Sequence, residues 1–77
     1  MKEKIEKILE EISTEIASYA GEHMLTEGII SSFQLIELVA NLEDEFDIDI
    51  DPDYIMEEYF GNTNKIIALV ERIMGLH

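Results

Sequence analysis

The chain has 77 residues, which leaves little room for an enclosed catalytic cleft, and a single core of this size supplies about 3–5 kcal/mol of stability. An apolar content of 47% with a mean hydropathy of +0.01 excludes a disordered acidic tail, and the absence of cysteine excludes disulfide staples, thiolate metal sites and a cysteine nucleophile. Five Lys and Arg against eighteen Asp and Glu give a net charge of -13, with no Lys or Arg between Lys7 and Lys65, so nucleic-acid phosphates and anionic lipid are repelled while basic protein surfaces are attracted.

The N-terminal Met1-Lys2-Glu3-Lys4 runs into an amphipathic pattern with no continuous apolar block, so neither a signal peptide nor stable membrane insertion is expected. A single cytoplasmic domain over residues 1–77, monomeric, is the expectation. From Glu3 to about Tyr19, Ile5, Ile8, Leu9, Ile12 and Ile16 recur at the three-and-four spacing of one helical stripe. Gly21 closes this first helix, and the aperiodic stretch to Gly28 reads as a connecting loop that Met24 and Leu25 tuck onto the core.

A second helix begins near Ser31 or Ser32 and runs to about Phe46. Ser31 followed by Gln34 matches a capping box, in which the serine hydroxyl and the glutamine amide each satisfy a backbone N–H left unpaired at the helix start. At about 100° per residue, Leu35, Leu38, Val39, Leu42 and Phe46 share one face. Phe33, Ile36 and Ala40 fall away from it, beside Glu37, Glu43 and Asp44. Two large apolar side chains, Phe33 and Ile36, are thereby left outside the core stripe.

Asp47 to Asp51 alternates acid and isoleucine, but Pro52 and the lack of a pairing partner argue for an ordered loop that buries Ile48 or Ile50. Proline at a first helical position loses no hydrogen bond, so a short third helix is expected from Asp51-Pro52 through Tyr59, ended by Gly61. Asn62 or Thr63 can cap a final helix whose stripe is Ile66, Leu69, Val70 and Ile73, with Gly75 as its stop. The fold class is all-α: a four-helix bundle of three longer helices and a short third one.

Catalytic chemistry finds little support. The only imidazoles are His23 and His77, and no nucleophile elbow or oxyanion-hole glycine run accompanies either. Asp47, Asp49, Asp51 and Glu58 fit a calcium-loop template, but its sixth position needs a positive φ and holds Pro52, which is locked near −65°. No metal site is assigned, and loose divalent-ion association with the acidic surface is all that is expected. The glycines at 21, 28, 61 and 75 are scattered, so no phosphate-cradling loop is formed.

The junction Gly28-Ile29-Ile30-Ser31-Ser32-Phe33 remains. With Ser31 as cap, Ser32 sits in the first helical turn with its hydroxyl exposed, where free N–H groups and the helix dipole favour an attached phosphodiester. Both serines acting only as caps is the other reading of these residues.

Gly28 through Ile50 resembles the acyl carrier protein family, in which a glycine, two residues and Asp-Ser-Leu open a helix rich in glutamate. Here that run is Gly28-Ile29-Ile30-Ser31-Ser32-Phe33-Gln34-Leu35-Ile36-Glu37-Leu38-Val39, and Leu42-Glu43-Asp44-Glu45-Phe46 with Ile48 and Ile50 continues the pattern. The resemblance implies an acyl-carrier-like bundle that is not an enzyme. In it Ser32 would carry a covalent 4′-phosphopantetheine arm from coenzyme A, holding acyl or aminoacyl groups as thioesters, as in fatty acid biosynthesis.

The same resemblance makes Phe33, Ile36 and Ala40 apolar partner contacts and Glu37, Glu43 and Asp44 acidic ones. The partners would be a phosphopantetheinyl transferase and acyl- or aminoacyl-transferring enzymes with basic docking patches. Thr63-Asn64-Lys65-Ile66-Ile67 is similar to the corresponding stretch of D-alanine carriers, so an aminoacyl cargo stands beside a fatty-acyl one. The family's aspartate before the modified serine is here Ser31, which keeps an unmodified acidic helical interaction module as a further alternative.

Overall fold

The computed structural model describes residues 2–75 and is all-α among them, measuring 29 × 23 × 21 Å. His77, one of the two imidazoles considered above, lies outside the described residues. Five helices follow in order: α1 (Lys2–Ile12), α2 (Thr14–Ser18), α3 (Ser32–Phe46), α4 (Glu57–Phe60) and α5 (Thr63–Met74), with a single 3₁₀ turn at Pro52–Tyr54. The expected bundle is present, with two of its four members divided.

The first division is at Ser13, so the continuous helix expected over Glu3 to Tyr19 is two. Ser13 is extended (φ −168°, ψ 129°), and its hydroxyl accepts a hydrogen bond from the Glu15 N–H at 3.2 Å. A serine side chain that satisfies nearby backbone competes with the helix ladder and restarts it as a cap. Ile16 stays fully buried across the break, which preserves the apolar stripe. Nor does Gly21 close the helix. The chain leaves it at Tyr19 (ψ 128°), and the glycine instead makes room for the tyrosine ring, which a Cβ at Gly21 would strike.

The second division replaces the expected helix from Pro52 through Tyr59. Asp51 Oδ1 accepts the Asp53 N–H at 2.8 Å and starts the 3₁₀ turn with Pro52 in its first position. Ile55 (ψ 76°) and Met56 (φ −154°, ψ 166°) then leave helical geometry before α4 begins. Of the two loop isoleucines, Ile50 is buried and Ile48 half-buried.

The core is filled by Ile5 and Leu9 of α1, Ile16 of α2, Met24 from the connecting loop, Leu38 and Leu42 of α3, Phe60 of α4, and Ile66, Leu69 and Val70 of α5. At about 1.5–3 kcal/mol for each large apolar side chain, this burial is what opposes the chain entropy. Asn62, rather than Thr63, caps α5: its Oδ1 accepts the Lys65 N–H at 2.8 Å. Gly75 ends the helix in the left-handed conformation (φ 75°).

Gly61 is buried where the connecting loop crosses the α4–α5 junction, and a Cβ there would meet the carbonyl oxygens of both Glu22 and Glu57. Backbone cannot yield as a flexible side chain can. Gly61→Ala is therefore expected to lower the unfolding free energy by about 3 kcal/mol, the upper end for overpacking. Gly28→Ala, which meets open space but carries φ 73°, should cost about 1 kcal/mol. Urea unfolding followed by circular dichroism compares the two, and equal losses would contradict the close approach at Gly61.

Candidate functional site

The loop from Ala20 to Ile30 delivers the chain to the start of α3, and it is pinned from below. The Met24 N–H donates to the Gly61 carbonyl at 3.1 Å, and Asn62 Nδ2 donates to the Gly21 carbonyl at 3.1 Å. The Thr26 N–H donates to Glu57 Oε2 at 3.1 Å, across thirty-one positions of sequence. Ile29 and Ile30 both donate to the Met24 carbonyl. Sequence reasoning missed Glu57 and Gly61 as positioning residues; only Gly61 left a local sign, as a turn glycine.

Tyr19 closes the loop on its outer side. Its hydroxyl donates to Glu27 Oε1 at 2.8 Å and accepts the His23 N–H at 3.1 Å. Partial desolvation raises the phenol above its ordinary value of 10.0; the His23 N–H opposes this, while Glu27 and Glu57 add to it. The His23 ring lies beside Glu57, Nδ1 to Oε1 at 3.6 Å, and hydrogen-bonds to neither serine.

The two serines divide as the capping-box reading expects. Ser31 Oγ accepts the Gln34 N–H at 3.1 Å, and Gln34 Oε1 accepts the Ser31 N–H at 3.0 Å. Ser32 is the first residue of α3 and is exposed, and among the described residues its hydroxyl has no hydrogen-bond partner. The N–H groups of Ser32 and Phe33 are the helix-start donors left after Ser31 and Gln34 have closed the box. No acidic side chain stands in the first turn. A free hydroxyl, two unpaired donors and a neutral turn together suit a phosphodiester.

Beyond Ser32, α3 presents an outer face. Phe33 and Ile36 are 69% and 71% exposed, values that single them out because large apolar residues rarely stand so far into water without a partner. Ala40, Glu37 and Asp44 are also exposed on this helix. Lys4 pairs with Glu45 at 3.6 Å, while Glu37 and Asp44 have no cationic partner among the described residues. Glu43 is half-buried, and its Oε2 accepts the Ile50 N–H at 2.8 Å. Leu35, Ile36, Val39, Ala40, Glu43 and Ile55 line a groove of 260 Å³ along this face. The helical wheel places Leu35 and Val39 on the core side, and Ile55, expected inside the helix from Pro52 through Tyr59, reaches the groove because the chain leaves helical geometry there.

A D-alanyl carrier protein of Lactococcus lactis subsp. cremoris (strain MG1363) is 37% identical over 73 residues, covering 92% of either chain. Proteins of the same name from Streptococcus suis (strain 05ZYH33) and Leuconostoc citreum (strain KM20) are 31% and 29% identical, over 96% and 97% of this chain and 95% and 97% of theirs. The chain belongs to the acyl carrier protein family. No family model matches it, and no solved structure does. Of the two serines at the head of α3, Ser31 is the one that caps and Ser32 the one whose hydroxyl is left unpaired among the described residues.

That division gives two expected outcomes. Ser31→Ala should cost about 1 kcal/mol of stability through loss of the cap, whereas Ser32→Ala should stay within about 0.5 kcal/mol of the parent; equal losses in chemical denaturation would contradict the assignment. At alkaline pH, a phenol held above its unfolded value stabilises the fold fully below pH 10.0 and loses that contribution as pH rises through the folded value. Tyr19→Phe should therefore show a shallower fall in stability above pH 10.0 than the parent, and an unchanged slope would contradict the raised phenol.

Proposed function

We propose that this protein is an aminoacyl carrier with D-alanine as its cargo, held on a 4′-phosphopantetheine arm at Ser32. The observation that carries the reading is the Ser32 hydroxyl, exposed and unpartnered at the head of α3. The Ser32 and Phe33 N–H groups would hold the phosphodiester oxygens, and Ser31 keeps the turn in shape without adding a repelling charge. The attached arm supplies a terminal thiol that carries the cargo as a thioester. The protein itself catalyses no reaction and presents the cargo to enzymes that do.

The relatives' shared name supports D-alanine over a fatty-acyl cargo. Packing agrees: Leu38, Leu42, Leu69 and Val70 leave at most 1% of their surfaces exposed, and a long alkyl chain would have to displace such contacts to be sheltered. A D-alanyl group asks for no interior space. Enzymes with basic patches would dock on α3, where Phe33, Ile36 and Ala40 give a small apolar anchor and Glu37, Glu43 and Asp44 give charge. Binding of this kind is fast and weakens as salt rises.

Incubation with coenzyme A and a broad-specificity phosphopantetheinyl transferase is expected to add the mass of one arm, and Ser32→Ala to add none. No gain on the parent chain, or a gain that survives Ser32→Ala, overturns the carrier assignment. The cargo is tested by loading an octanoyl arm and timing its cleavage by hydroxylamine. Cleavage as fast as that of free octanoyl-pantetheine is expected; strong protection would point to an interior fatty-acyl site and overturn the D-alanine reading.

A further inference from the structure

The break at Ser13 does more than divide the first helix. In a continuous helix Glu6, Glu10, Thr14 and Ala17 would lie along one face, and a straight helix is convex there. Here they line a cavity of 360 Å³ together with Leu9 and with Thr63, the first residue of α5. The chain therefore bends toward this row where Ser13 leaves helical geometry. No residue of α3 takes part in the lining.

Two parts of the lining are left unsatisfied. Glu6 and Glu10 are exposed and one helical turn apart, and neither has a cationic partner among the described residues, although like charges at this spacing repel. Independently, and from another helix, Thr63 Oγ1 is buried with no hydrogen-bond partner, the one such side-chain atom among the described residues. Buried polar atoms are nearly always paired, so an orphan beside a cavity calls for an occupant that brings a donor. Leu9 and Ala17 add apolar surface to the same cavity.

A guanidinium on an aliphatic stem answers each of these features. Its five N–H donors in a fixed plane can serve two carboxylates and a hydroxyl at once, and its weak hydration lets it rest against apolar surface. An ammonium has three donors and holds its water more strongly. The stem of an arginine can cover Leu9 and Ala17 while its head stays with the carboxylates. We propose that the cleft at the α1–α2 break is a socket for an arginine side chain of a partner protein, held by Glu6 and Glu10 with one N–H directed to Thr63. The inference goes beyond the carrier reading and does not depend on it, since it uses neither Ser32 nor any residue of α3. It gives the chain a contact point for basic partners separate from that helix.

The full chain, labelled for amide resonances, is titrated with acetyl-Gly-Arg-Gly-amide, its lysine counterpart and agmatine. The arginine peptide is expected to shift the Leu9, Ala17 and Thr63 amides saturably and to bind more tightly than either other probe. The double variant Glu6→Gln/Glu10→Gln should weaken it roughly tenfold, as expected for two exposed ion pairs. Thr63→Val should also weaken it while leaving the free protein at least as stable in urea, because it removes a hydroxyl that nothing in the fold satisfies. Equal binding of the arginine and lysine peptides overturns the socket, as do shifts spread evenly over every acidic face, affinity unchanged in the double variant, or no shift at all. Agmatine binding as tightly as the arginine peptide would assign the cleft to a free cation and overturn the partner side chain. A loss of stability in Thr63→Val would show that the hydroxyl is already satisfied and remove it from the site.

Discussion

The position of Ser32 depends on a single close approach, the backbone of the connecting loop lying against Gly61. A loop of this length has many N–H and C=O groups and few helical partners for them, and each one buried unpaired costs free energy. Because Gly61 has no side chain, the Glu22 carbonyl can occupy the space a Cβ would fill, and the Met24 N–H can reach the Gly61 carbonyl. Met24 is thereby held fully buried, and its own carbonyl anchors Ile29 and Ile30. The residues that follow are Ser31 and Ser32, so the place where the helix can start is fixed by a glycine thirty residues downstream.

Apolar spacing made the helices legible because it reports burial, and burial is what the bundle needs from each of them. The stripe of Ile5, Ile8, Leu9 and Ile16 runs through the break at Ser13 without a change of phase, which is why the pattern could not disclose the break. The signal was in the propensities: Ser13-Thr14 places two hydroxyl side chains that favour caps over helix interiors. The capping box at Ser31 and Gln34 was readable because its partners are three residues apart. Glu57 on the Thr26 N–H was not, because nothing local distinguishes a carboxylate that will accept a distant backbone N–H from one that stays in water.

Phe33 and Ile36 show the converse case. The wheel excluded them from the core, and their exposure agrees with that exclusion, yet exposure alone does not name a partner. What narrows the choice is their setting on a helix that carries Glu37 and Asp44, without cationic partners among the described residues, and has no Lys or Arg of its own. An apolar anchor in such a field favours a protein surface that is itself basic around an apolar contact, and disfavours membrane or nucleic acid, whose charge has the wrong sign. The groove wall at Ile55 was beyond the wheel, since it exists only because the chain leaves helical geometry at Ile55 and Met56.

The charge of -13 has a role inside the fold as well as outside it. Asp51 starts the 3₁₀ turn, Glu43 accepts the Ile50 N–H, Glu57 accepts the Thr26 N–H, and Glu27 accepts the Tyr19 hydroxyl. Each is an acceptor for a donor that neither helix nor sheet could satisfy, in a small protein whose loops between α2 and α3 and between α3 and α4 are long for its core. A carboxylate suits this work because bonds to an ionised acceptor are stronger than those between neutral groups. The same choice leaves these loop bonds open to competition from cations in solution, so that the acceptors that hold the loops are also the groups most sensitive to the ions around the protein.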